Sequence, residues 1–176
     1  MSIDAPHEVV SKLQAAERQL AEAIWLFFAR HDLIAAHTLA VASLDLLGDL
    51  GRASGIVSPI REGTFIRDEK KAEWRRMLRE AQNSFKHADR DRDAELQFFT
   101  ETTKFYLLEA AILHRAITGR LTPEARVLVV WFSKKLPDLF LEGSLKQFLE
   151  AATENLDPND FETFLSVLEQ HRQQGR

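Results

Sequence analysis

A chain of 176 residues, 45% hydrophobic and 28% charged, has the composition of an ordinary globular protein: long enough for one domain with a sizeable core and too apolar to remain disordered. Its 27 acidic residues outnumber 23 basic ones for a net charge of −4, which excludes a surface that is basic throughout but leaves room for a local cationic patch. The absence of cysteine removes disulfides, zinc ribbons, iron–sulfur clusters and a cysteine nucleophile together.

The opening Met-Ser-Ile-Asp-Ala-Pro-His-Glu has neither the basic start nor the apolar run of a signal peptide. No stretch of about 18 uncharged apolar residues occurs. A cytoplasmic protein that does not span a membrane is expected. From Pro6 to Arg30, the residues Val9, Val10, Leu13, Ala16, Leu20, Ala23, Ile24, Phe27 and Phe28 recur at spacings of three and four, which predicts an amphipathic helix. Asp32 can cap a second helix bearing Leu33, Ile34, Ala40, Val41, Leu44, Leu47 and Leu50 and ending at Gly51, a left-handed terminator. The short His31-Asp32 joint makes the pair an antiparallel hairpin.

Gly51 to Asp68, rich in Gly, Ser and Arg with Pro59, has no regular period and reads as a long irregular connection. A third helix begins near Glu69 and turns Trp74, Met77, Leu78, Ala81 and Phe85 inward. Asp91 or Asp93 then caps a fourth of about 25 residues through Leu96, Phe99, Thr103, Tyr106, Leu107, Ala110, Leu113 and Ile117 to Gly119. These four helices, residues 6–118, predict an up-down bundle.

The remainder, 119–172, predicts two or three further helices within a single all-α domain. Their start signals are Thr122-Pro123-Glu124, a Ser144/Gln147 capping box and Asp157-Pro158. Val127 to Phe132 favours a strand on propensity, but the cap before it keeps the reading helical. Residues His171 to Arg176 are expected to fray. The chain has 12 Phe and 3 Trp. Trp25, Phe27, Phe28, Trp74, Phe98, Phe99, Trp131 and Phe132 fall mostly within the apolar periodicity, as core or subunit interface, and the doubled Phe27-Phe28 and Phe98-Phe99 put aromatics on two adjacent faces, which predicts a homodimer interface there.

Chemistry-capable residues concentrate between Arg79 and Asp93. On a helix, Asn83 and His87 lie one turn apart with Lys86 and Arg79 beside them, a set that could hold a phosphate or equally form a solvated helix end. His87 would be the acid or base, Asn83 would orient the phosphate or His87, and Arg79, Lys86 and Gln82 would be the phosphate ligands, with Arg90 also attracting phosphate. Asp89, Asp91 and Asp93 alternate like the start of a calcium loop, but Ala94 and Thr100 occupy the positions that need glycine and a carboxylate. No Walker loop, dinucleotide fingerprint or serine elbow is present, so no cofactor is implied.

The string Gln82-Asn83-Ser84-Phe85-Lys86-His87, following two amphipathic helices and preceding a long fourth one, resembles the HEPN family (higher eukaryotes and prokaryotes nucleotide-binding). That family is all-helical, and many members dimerise and act as metal-independent ribonucleases through Arg, a polar residue often Asn, and a later His. The likeness covers roughly residues 8 to 118 in architecture and six residues in motif. It implies a homodimer binding RNA or a nucleotide near Asn83, Lys86 and His87. Gln82 stands where the family has arginine, so a neutral amide replaces a permanent charge and catalysis is not implied. Two readings stand beside it: a protein-interaction or regulatory module of a bacterial defence or toxin–antitoxin-type system, and a metal-dependent bundle enzyme on His37, His87 and His114.

Overall fold

Ser11 starts the first helix, α1 (Lys12–Ala29), through a reciprocal capping box with Gln14, well inside the expected boundary at Pro6. The computed structural model describes residues 7–30, 32–64, 66–86, 93, 95–139, 143, 147, 149–151 and 153–174, and all regular structure among them is helical. Arg30, in the left-handed region at φ 52°, closes α1.

Asp32 caps α2 (Leu33–Ala53) as expected, its carboxylate accepting from the Ile34 and Ala35 amides. Gly51 does not terminate this helix. It stays helical and the left-handed turn falls later, at Gly55 (φ 72°), from which the Ile56 amide donates back to the Gly51 carbonyl (2.9 Å) and leaves an added Cβ on Gly51 3.4 Å from the Ile56 side chain. α2 is long and apolar enough to cross a membrane by length and composition, at a mean hydropathy of 1.5. Here it is the central helix, packed most extensively on α1 and on α5 (Thr103–Thr118), and a helix covered on several sides is apolar for that reason.

The expected irregular connection contains a single helical turn, α3 (Pro59–Glu62). Ser58 caps it, Pro59 takes the first position and Gly63 at φ 62° ends it. The buried Glu109 carboxylate accepts from the Ser58 hydroxyl (2.6 Å) and the Ile60 amide (3.0 Å), fixing α3 to α5. A 3₁₀ turn, Asp68–Lys70, then leads into α4 (Lys71–Lys86).

The fourth predicted helix is shorter than expected. Residues 95–99 are non-helical, and a 3₁₀ turn at Thr100–Thr102 opens α5, which has 16 residues. Leu96 and Phe99 therefore lie before the helix, because Phe98 is drawn against His37 and Phe85 instead of continuing a helical stripe.

Thr122 and Pro123 start α6 (Pro123–Lys135), so Val127 to Phe132 is helical: the cap outweighs β propensity. Asp157-Pro158 forms a turn, with the Asp157 carboxylate accepting from the Asn159 amide. The helix after it, α7 (Phe161–Gln174), is capped by Asp160 through the Thr163 amide and hydroxyl. Residues 171–174, expected to fray, are helical, and Arg172 pairs with Glu22 at 2.7 Å and lies over the Trp25 ring; residues 175 and 176 lie outside the described residues. The predicted cap Ser144 lies outside the described residues.

One core joins α1, α2, α5, α6 and α7. Phe28 stacks on Phe164 at 5.4 Å, and Phe27 meets Trp131 edge-on at 5.2 Å. Phe27 and Phe28, expected in the core or at a subunit interface, are buried in the core and enclosed by the chain's own α6 and α7. By contrast α4 contributes no buried residue. Trp74, Leu78, Ala81 and Phe85 are only half-buried and Met77 is 55% exposed, so the inward face expected of it borders the core without entering it.

Candidate functional site

Three polar links hold α4 at the rim of the molecule. The Trp74 indole N–H donates to the Ile60 carbonyl (2.7 Å), the Tyr106 hydroxyl to the Leu78 carbonyl (3.3 Å) and the Gln82 amide to the Asp45 carboxylate (3.2 Å). Burial, with Asp45 nearby, pushes the Tyr106 phenol up to about 12, so it remains a neutral donor.

Because these links replace close packing, a cleft of about 690 Å³ remains between α4, the 95–99 segment, α2 and α5. Its walls are mainly apolar: Trp74, Met77, Leu78, Ala81, Leu96, Phe98, Phe99 and Phe105. Three large apolar residues exposed at the surface, Met77, Phe99 and Phe105, belong to this lining and extend the apolar surface outward.

At the floor lies His37, 2% exposed. Its Nδ1 meets Thr103 Oγ1 at 3.3 Å, while Nε2 is buried with no hydrogen-bond partner among the described residues. Phe98 and Tyr106 stand edge-on to the imidazole, each at 5.0 Å. Burial in this setting lowers its pKa from 6.5 to about 4, so the ring is neutral near pH 7 and Nε2 is either a donor or an acceptor according to tautomer. An unpaired buried nitrogen costs free energy, which marks His37 as a polar group held in an apolar setting.

The predicted phosphate set divides on the opposite flank of α4. Gln82 is turned toward α2 by its bond to Asp45, whereas Arg79, Asn83 and Lys86 are exposed. Arg75, Arg79, Gln82 and Lys86 follow one another at spacings of four, three and four and so share a face. Arg75, Arg79 and Gln82 line a shallow crevice that also includes Arg61 and Asp45. Arg61 is anchored there by the Asp45 carbonyl at 2.9 Å and the Asp49 carboxylate at 3.0 Å. His87, Asp89, Arg90 and Asp91 lie outside the described residues.

The structure separates two of the three histidines weighed as metal ligands. His37 sits at Thr103, at the start of α5, whereas His114 lies eleven residues along the same helix, a rise of roughly 16 Å. His114 is fully buried and engages Glu17 Oε1 at 2.7 Å, to which Arg120 also donates at 2.9 Å. It ties α5 to α1. No group of three metal-binding side chains forms among the described residues.

The cleft was not read from the sequence as a site. The one available signal was His37 within an otherwise apolar helix face, which marks a buried polar group but not the space before it. In comparison with known proteins, no family model, no curated protein and no solved structure matches this chain.

Proposed function

We propose that this protein binds a small apolar molecule in the cleft between α4 and the α2–α5 pair, and that it acts as a binding or regulatory protein. One observation carries the reading: a cavity of about 690 Å³, walled mainly by aromatic and aliphatic side chains, has among its lining the nearly fully buried His37, whose Nε2 has no hydrogen-bond partner among the described residues. Ligand sites typically enclose about 300–1,000 Å³ and combine apolar walls with a few fixed polar atoms.

The test is binding of 1-pyrenebutanol, followed by fluorescence, to the wild type and to Ala81→Trp. The indole would occupy the cleft, so saturable binding to the wild type and its loss in the variant support the reading; equal binding to both overturns it.

A second reading, the HEPN-like homodimer binding RNA or a nucleotide beside Asn83, is favoured by the cationic face of Arg75, Arg79 and Lys86. It makes α1, α2, α4 and α5 the counterparts of the family's four-helix bundle. Its affinity for single-stranded RNA would fall steeply with salt and would be lost in Arg79→Ala combined with Lys86→Ala. Binding indifferent to both changes removes it.

A further inference from the structure

The charges of α4 are sorted by side. Arg75 and Arg79 face the crevice beside Asp45, whereas Glu80 belongs to the cleft wall with Met77 and Ala81. Glu95, from the 95–99 segment, lines the same cleft, and among the described residues of the lining these two exposed carboxylates are the only charged side chains. The described lining thus contains no lysine or arginine.

We infer that the cleft takes an apolar amine in its protonated form, the apolar body against Trp74, Met77 and Phe98 and the ammonium group beside the exposed Glu80 and Glu95. This rests on the cleft reading above and names the ligand class. Aromatic faces attract a cation as well as covering apolar surface, and two exposed carboxylates in the lining favour a positive head group and disfavour a carboxylate. His37 fits the same assignment: it is neutral near pH 7 and adds no competing positive charge at the floor.

A matched series with one apolar body separates head group from body: 1-pyrenebutylamine, 1-pyrenebutanol and 1-pyrenebutyrate, titrated at pH 7 and low salt. The wild type should bind the amine about tenfold tighter than the alcohol, the scale of one favourable charge contact near a protein surface, with the butyrate weakest. In Glu80→Gln combined with Glu95→Gln, both exposed positions, amine affinity should fall to that of the alcohol while alcohol affinity is unchanged. Amine and alcohol binding equally, or the butyrate binding best, would overturn the amine assignment and leave the cleft reading standing. Absence of binding by all three, or binding to Ala81→Trp as tight as to the wild type, would defeat the cleft reading itself and the inference with it.

Discussion

His37 makes stability depend on pH in a window of its own. Burial beside Phe98 and Tyr106 holds its pKa near 4, whereas in the unfolded chain it titrates near 6.5. Between these values the unfolded state binds more protons, so stability is full above about pH 6.5 and is lost as pH falls toward 4. At roughly 1.4 kcal/mol per pH unit the ceiling is about 3 kcal/mol, with about 2 kcal/mol already lost at pH 5. For a chain of this size that loss lowers Tm by about 4–8 °C.

Other groups facing the cleft are the phenol of Tyr106, which stays neutral, and the exposed carboxylates Glu80 and Glu95. The carboxyls of Glu8, Asp68, Glu73 and Glu101 are held below their ordinary values by hydrogen bonds from Arg18, Lys71, Lys70 and Lys104. Their contribution is present above about pH 4.5 and is lost below it, so it leaves the His37 window between about pH 6.5 and 4.5 undisturbed.

The assay is urea denaturation of the wild type and His37→Phe from pH 7.5 to 4.5. The variant should start about 1 kcal/mol lower for want of the Thr103 bond and then lose less stability than the wild type down to pH 5. Every other titration cancels in the difference. Parallel curves between pH 6.5 and 4.5 would show that His37 is not desolvated as described.

Phe164→Ala should cost about 3–5 kcal/mol in denaturant unfolding, because it empties a site stacked on Phe28 in the main core, whereas Met77→Ala on α4 should cost under about 1 kcal/mol. Equal effects would mean that α7 is an appendage. Gly48 lies where an added Cβ would stand 2.3 Å from Arg61 Nη1. Gly48→Ala should therefore be close to neutral alone, its helical gain of about 1 kcal/mol offset by displacing Arg61 from Asp45 and Asp49. In an Arg61→Ala background the same change should stabilise by about that amount, and a thermal double-mutant cycle without coupling would refute the contact.

Local signals carried most of the fold. Asp32, Thr122 and Pro123 start helices where the sequence places them, since a cap acts on amides two or three residues away and needs nothing distant. Where two local signals competed, three-dimensional packing decided. Gly51 looked like a terminator until Ile56 closed on it, and Leu96 and Phe99 read as helix until Phe98 was drawn to His37.

The sequence by itself determined an all-helical chain, the hairpin of α1 and α2, and the nearness of Arg79, Asn83 and Lys86 along α4, all of which follow from periodicity and spacing. Tertiary structure alone decided that α6 and α7 complete the core, that Phe27 and Phe28 are spent inside it, and that α4 stands off far enough to leave a cleft over His37. The physical reason is that a cavity is a failure of separate elements to fill space between them. No residue pattern within one helix records how closely its neighbours will approach.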